Sequence, residues 1–452
     1  MTTLGEYIKV QGGYAYKSKD FIESSDNKVL KIKNVRFGAI DYSEPAYVSN
    51  EIAEATKNWK VKEGDILISM TGSGPNAPQS LVGRVARVWK NEPDAWINQR
   101  VGRVCLLDEA PVHLDFIFYW LSLPQSQDYL VSNSSGSANQ ANISGKIIES
   151  LPCPKVDYQT SKQIADLARK FDEKIILNSQ TNQTLEEMAQ AIFKSWFVDF
   201  DPVKAMMNGE QPEGMDAVTA SLFPEKLVES ELGELPEGWK LVPVGDLLTN
   251  AIGGDWGKEV PDEKHTEEVR IVRGTDIPKL HGGAIDSVPV RYVESKKLKT
   301  RKLERGDIVI EVSGGSKDQP TGRSLFISDN MLKRLDLPSE PASFCRRFKP
   351  VSYEIGLLLA VHFQLMYQAG KTWEYQNQST GISNFQTKYF LEAEHVVIPS
   401  EDVLEAFIKQ VNPMMDMIHS NQNIDLAKLR DTLLPKLLSG EIDLDTQEVK
   451  CE

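Results

Sequence analysis

Gly38-Ala39-Ile40-Asp41 and Gly283-Ala284-Ile285-Asp286 are the same four letters, 245 positions apart. Tyr47-Val48 follows the first copy and Tyr292-Val293 the second, at the same distance. The correspondence continues on both sides. Upstream, Leu4-Gly5-Glu6 leading to Gly12-Gly13 matches Val244-Gly245-Asp246 leading to Gly253-Gly254, and Lys31-Ile32-Lys33 matches Ile271-Val272-Arg273. Downstream, Gly64-Asp65-Ile66 matches Gly306-Asp307-Ile308, and each opens an apolar run that ends in a glycine loop. Those loops are Thr71-Gly72-Ser73-Gly74 and Ser313-Gly314-Gly315-Ser316. Gly83-Arg84 then matches Gly322-Arg323, and Ile143-Ser144 matches Ile382-Ser383. Nine matches in one order, at separations of 239 to 245, describe a duplicated fold whose loops differ slightly in length.

Within each half, short β-like runs alternate with turn residues: Val29–Lys33, Asp65–Ser69, Gly83–Trp89 and Val101–Leu107 in the first. A helical stretch, Leu114–Leu123, follows. Each half therefore reads as an α+β globule of ordinary domain size. Two long helical patterns follow the globules. From Gln159 to Phe197 there is neither Pro nor Gly. Ile164, Phe171, Leu185 and Ile192 share one heptad position with Asn178 between them, and Leu167 and Met188 hold the second. Such a helix spans roughly 58 Å at 1.5 Å per residue. The second half repeats the pattern with Leu404, Phe407, Val411, Met414 and Ile418, then Leu426, Leu429 and Leu433. Both patterns turn polar midway, at Asn178–Thr184 and His419–Asp425. That polarity reads either as a seam that fixes register or as a solvated surface where the helices part. Pro413 and Pro435 predict an interruption of the second helix. An antiparallel pair would hold the globules apart about a rough two-fold axis, a geometry suited to two half-sites on a duplex.

The chain of 452 residues is 40% hydrophobic and 26% charged, which predicts a soluble protein of two or three domains. No apolar run reaches the roughly 18 residues of a membrane span, and the start lacks an export pattern. Cys105, Cys153, Cys345 and Cys451 are scattered, so a reduced cytoplasmic protein without a zinc site is expected. The formal charge of −14 is concentrated. Residues 201–240 carry a net −6 and residues 440–452 a net −4, leaving −4 for the remainder. Basic patches can exist on such a body, and a partner would supply further phosphate contacts.

Several stretches carry a family resemblance. GGYAYKSKDF (Gly12–Phe21) and SGSANQANIS (Ser135–Ser144) resemble parts of the target-recognition domains of type I restriction–modification specificity subunits. FKSWFVDFDPVKA (Phe193–Ala205), GMDAVTASLFP (Gly214–Pro224) and ELGELPEGW (Glu231–Trp239) are similar to that family's central region. LRDTLLPKLLSGEI (Leu429–Ile442) is similar to its C-terminal end. The resemblance implies an α+β chain with two similar globular target-recognition domains separated by two long antiparallel coiled-coil helices in pseudo-two-fold arrangement. The expected segments are recognition domains at 1–155 and 237–398, spacer helices at 156–200 and 399–440, an acidic linker at 201–236 and an acidic tail at 441–452. It further implies a non-catalytic subunit that binds double-stranded DNA and reads a bipartite, asymmetric site. The implied partners are two methyltransferase subunits and restriction subunits. S-adenosylmethionine, ATP and Mg²⁺ are expected on those partners, and no cofactor on this chain.

Base readout needs Arg or Lys for guanine and Asn or Gln for adenine, while phosphate contacts use cations, hydroxyls and backbone N–H groups. In the first half these types gather at Lys33, Asn34 and Arg36; at Thr71, Ser73, Asn76, Gln79 and Arg84; at Asn98, Gln99 and Arg100; and at Asn139, Gln140 and Asn142. In the second half they gather at Arg273 and Thr275; at Ser313, Ser316, Lys317, Gln319 and Arg323; at Arg346 and Arg347; and at Trp373, Gln376, Asn377 and Gln378. Lys17 and Lys19 suit phosphate or plain solvent. A polar glycine loop is ordinarily a surface turn, so the matched placement of the two loops carries the weight.

Catalytic patterns are missing from the sequence: there is no G-x-x-x-x-G-K-[ST] loop, no H-E-x-x-H, and the six histidines are isolated. The enzymatic alternative is a metal-dependent nuclease with Asp286, Glu294 and Lys296 as a D…E-x-K site. Ser49 and Glu51 stand at the matched places in the first half, which counts against it. The third reading is a helical scaffold that does not touch DNA.

Overall fold

Ile66-Leu67-Ile68-Ser69 is buried on both faces and forms an inner strand of a four-stranded antiparallel sheet. Side chains alternate across a sheet. Ile66 and Ile68 therefore enter one apolar cluster with Phe116, Ile117 and Leu121, while Leu67 enters another with Leu30, Val35 and Ile97. The duplicate strand Ile308–Glu311 divides its residues in the same way. Ile308 and Ile310 pack with Phe348 and Leu357, and Val309 packs with Val272 and Leu325.

The computed structural model describes residues 1–74, 81–137, 140–230, 233–315, 319–379, 382–420 and 422–442. Its compact units are Met1–Glu173 with Leu426–Glu452, and Lys174–Asp425. In the first unit the main sheet runs Ile8–Gly12, Val101–Leu106, Ile66–Ser69, Val85–Arg87. A second sheet runs Phe21–Ile22, Ala46–Val48, Lys28–Leu30, Ala95–Ile97, with the last pairing parallel. A small third sheet joins Ser135–Ser137, Gln140–Asn142 and Thr71–Gly72. The helix Leu114–Ser122 covers the main sheet with Phe116 through Leu121 buried. The second unit repeats each part. Its main sheet runs Leu248–Gly253, Cys345–Pro350, Ile308–Glu311, Ser324–Phe326. Ser339–Pro341 pairs in parallel with His265–Val272, and Ser313–Gly315 joins the hairpin of Gln376–Ser379 and Ile382–Phe385.

The repeated Gly-Asp-Ile is an ion-paired turn. Asp65 accepts from the Lys62 N–H at 2.9 Å and meets Arg103 at 3.2 Å. Asp307 accepts from the Glu304 N–H at 2.6 Å and meets Arg347 at 2.7 Å. Several correspondences shift, however. Asn142 pairs with Thr71 and Asn384 with Ser313, so Ile143 matches Phe385 and not Ile382. Lys28 pairs with Tyr47 and its counterpart Arg270 with Val290, so Tyr47 matches Val290 and not Tyr292. Lys33 does not match Arg273, nor do Lys31–Lys33 form a strand. Lys31 and Arg273 each open a 3-10 turn, with their N–H groups donating to Asn34 Oδ1 and Asp276 Oδ2. The match made by letters was two residues out of step.

The helix Tyr158–Phe197 is continuous over 40 residues. Within the first unit Asp172 pairs with Arg430, and Ile164, Ala165 and Ala168 share a cluster with Leu434, Leu437 and Leu438. Within the second unit Asn178 meets Asn423, and Phe193 and Phe197 meet Phe407. In both units later residues of one helix face earlier residues of the other, which is antiparallel packing. Some seam positions differ from the heptad expectation: Met188 and Leu429 are exposed, while Ala165, Ala168 and Ala189 are buried. Small alanines pack closely yet give a weak hydrophobic pattern. The prolines do not interrupt as expected either. Pro413 lies inside Glu401–His419 and Pro435 inside Asn423–Ser439, so the break falls in the polar stretch between these two helices. The acidic segment after the long helix is folded, not an open linker. It contains the helix Asp201–Met207 and the hairpin Leu227–Ser230 with Gly233–Pro236, and Val203 and Phe223 pack against Trp196, Phe197 and Trp239.

Candidate nucleic-acid interface

At one end of the main sheet of the first unit, four backbone segments are tied together. The Gly13 N–H donates to the Val101 carbonyl and the Tyr14 N–H to Ile97, both at 3.0 Å. The Met70 N–H donates to the Arg100 carbonyl at 2.8 Å, and the Ile143 N–H to Met70 at 3.0 Å. This knot gathers the Gly12-Gly13 loop, the glycine loop after Met70, the turn Asn98–Arg100 and the hairpin 135–142.

The second unit repeats the knot bond for bond. Gly254 donates to Cys345 at 3.1 Å, Asp255 to Pro341 at 3.0 Å, Val312 to Phe344 at 2.9 Å and Phe385 to Val312 at 2.9 Å. The approach is too close for a side chain at the second glycine of each pair. A Cβ on Gly13 would lie 2.2 Å from the Asn98 carbonyl oxygen, and one on Gly254 would lie 1.9 Å from that of Pro341. That contact is the physical reason for the second glycine of each pair, while Gly12 and Gly253 have open space around them.

The polar residues picked out by type divide into those the knot presents and those the fold consumes. Gln99 and Arg100 are exposed on the turn, and the Arg100 guanidinium meets no partner among the described residues. Gln140 is exposed, and Asn98 and Asn142 are half-buried beside it in the same knot. Asn142 accepts from the Thr71 hydroxyl at 2.7 Å, which holds Thr71 inside. Ser73 is half-buried and bridges by backbone to Leu81. Lys33 and Arg36 are exposed but paired with Glu44 and Asp41. Lys17 and Lys19 are exposed.

Two residues of the first unit are internal where a reading role was expected. Asn34 is buried, and its carboxamide donates to the Asp41 and Glu44 carbonyls. Arg84 is 2% exposed and donates to the carbonyls of Val35, Leu81 and Ile32 at 2.8, 2.9 and 2.8 Å. Burial, and then nearby Arg36, pull the Arg84 guanidinium below its ordinary pKa.

In the second unit Arg346 is half-buried without a partner among the described residues, Ser313 is half-buried, and Thr275, Gln319, Trp373 and Asn377 are exposed. Asn377 accepts from Gln386 at 3.0 Å. Arg323 is the counterpart of Arg84 and is largely internal: it grips buried Glu311, and that hydrogen bond raises its pKa. Arg347 is 6% exposed and belongs to the Asp307 turn. Gln376 accepts from Thr321, and Arg273 is bound to Asp276 and the Ser287 carbonyl. Asn76, Gln79, Asn139, Ser316, Lys317 and the Gln378 side chain lie outside the described residues. The D…E-x-K alternative is not assembled. Glu294 faces Lys297 at 3.5 Å and His265 at 3.8 Å, and no group of three His, Cys, Asp or Glu able to hold a metal occurs among the described residues.

A search by polar type misses exposed apolar side chains at and beside the knot. Phe344 is 66% exposed at the position matching Arg100. Trp256, next to Asp255, is 41% exposed with the Arg291 guanidinium 5.3 Å above its ring. The repeat itself was the available signal, since the matched turn is the same distance from Pro341 as Arg100 is from Ile97.

The chain is similar to known proteins in sequence and in fold. The family model described as "Type I restriction modification DNA specificity domain" matches residues 1–187. The HindI specificity subunit of Haemophilus influenzae is 26% identical over 437 residues, covering 84% of this chain and 87% of that one. The MjaIX specificity subunit of Methanocaldococcus jannaschii is 25% identical over 433 residues, covering 92% and 89%. In fold, the chain is similar to the S subunit of a type I restriction–modification system from M. genitalium. The TM-score is 0.56 at 13% identity, over 96% of this chain and 94% of that one.

Proposed function

We infer that this chain belongs to the type I restriction–modification specificity subunits and serves as the DNA-recognition subunit of such a complex. One observation carries the reading. The same four-segment knot occurs twice, bond for bond, while the side chains it presents differ between the units. A conserved backbone frame with variable side chains is what two readers of two different half-sites require. Residues 1–155 and 237–398 act as the recognition domains, and together they read a bipartite, asymmetric site on double-stranded DNA. The helical segments dock two methyltransferase subunits and the restriction subunits. Methylation and cleavage belong to those partners, which carry S-adenosylmethionine, ATP and Mg²⁺, and this chain works in the cytoplasm without a catalytic site. No helix among the described residues is long and apolar enough to cross a membrane.

The test is duplex binding by the chain assembled with its methyltransferase partner. Affinity that falls steeply with salt, together with a sequence preference, supports the reading. Assembly of the subunits without any duplex binding would leave only a scaffold.

A further inference from the structure

The two knots are equivalent in backbone and opposite in chemistry at one position. The carbonyl that receives the glycine-loop N–H belongs to Arg100 in the first unit and to Phe344 in the second. Arg100 presents an exposed guanidinium, whereas Phe344 presents a ring that is 66% exposed. An exposed phenylalanine where four backbone segments meet gains little from folding, because most of its ring stays in water. Cys345, next in sequence, is fully buried. Arg346, in the strand that begins at Cys345, is half-buried and has no partner among the described residues.

Resting on the reading of the chain as a DNA-recognition subunit, we propose that Phe344 is a specificity residue of the second half-site and packs on the C5-methyl group of a thymine. In the same unit Arg346, Gln319 and Asn377 carry hydrogen-bonding groups of the kind that discriminate base edges in the major groove. In that groove the thymine methyl is the one apolar group a base pair offers, so a ring among polar readers meets it there. The first half-site, read through Gln99 and Arg100, has no such contact at this position. The two halves of the recognised site therefore differ in kind as well as in sequence.

The experiment uses the full complex with its methyltransferase subunits and a pool of randomised duplexes. Wild type should enrich a split sequence with a thymine in one half. Replacing that thymine by uracil removes only the methyl group and should weaken wild-type binding about fourfold. Phe344→Ala should bind the thymine duplex about tenfold more weakly than wild type. The variant should also be indifferent to the uracil exchange. Phe344→Leu, which keeps an apolar surface, should retain the methyl dependence. The proposal is overturned if Phe344→Ala binds as wild type does, or if uracil at every thymine of the site affects wild type and variant equally. A split sequence in either of those cases leaves the parent reading standing. If wild type enriches no split sequence, the parent reading fails, and this proposal with it.

Discussion

Arg84→Ala and Arg100→Ala separate the residues the fold consumes from those it presents. Arg84 donates to three backbone carbonyls, those of Val35, Leu81 and Ile32, and is 2% exposed. Removing it strands three acceptors at about 1 kcal/mol or more each and opens a space in the core. Part of that loss is offset, because the buried guanidinium lacks a carboxylate and its desolvation is relieved. The net cost is about 3 kcal/mol, which lowers the melting temperature of a unit of this size by roughly 10 °C. Arg100 is exposed and its guanidinium is unengaged among the described residues, so Arg100→Ala should change stability by less than about 0.5 kcal/mol. Its duplex binding should instead fall about tenfold or more. Thermal unfolding followed by circular dichroism, and duplex titration of the assembled complex, read the two effects separately. Arg84→Ala with unchanged melting and lost binding would refute the assignment, as would Arg100→Ala with unchanged binding.

Other perturbations test other parts of the structure. Glu340 is fully buried, neither carboxylate oxygen has a hydrogen-bond partner, and burial followed by nearby Asp255 pushes its pKa up to about 7. The folded state then holds the proton more tightly than the unfolded one, so this residue's contribution to stability is lost as pH rises from about 4.5 to 7. Glu340→Gln should stabilise the second unit at pH 8 by up to about 3 kcal/mol and flatten that pH profile in denaturant titrations. Gly254→Ala places a Cβ 1.9 Å from the Pro341 oxygen and should break the second knot, costing about 3 kcal/mol or more. Gly253→Ala, with open space around its Cβ, should melt within a few degrees of wild type. Asn423→Ala removes the acceptor of Asn178 and the donor to Ile175 and Ser179, so about 1–2 kcal/mol should be lost from the second unit.

Much of the fold was legible because the duplication repeats backbone requirements. Gly13 and Gly254 mark a close approach, and Asp65 and Asp307 mark an ion-paired turn, so these letters survive in both copies. The same logic explains where residue choice went astray. Arg84 and Arg323 match because both hold the frame, and a matched arginine in a duplicated reader is better evidence of architecture than of recognition. Arg100 and Phe344 occupy one position with different letters, so a search for repeated letters passes over both. The helix break follows polarity and not proline, since Pro413 and Pro435 each sit within an otherwise regular helix. Buried alanines such as Ala165 and Ala168 escaped the heptad count because they carry little apolar surface.

The central claim is that two equivalent frames on one chain read two separate stretches of one duplex. Mapping methylated adenines in the DNA of a host that expresses the chain with its methyltransferase partner tests this directly. A single asymmetric motif in two parts with a fixed gap is expected, in which Arg100→Ala alters one part and Phe344→Ala the other. A continuous motif, or methylation unaffected by either substitution, would contradict it.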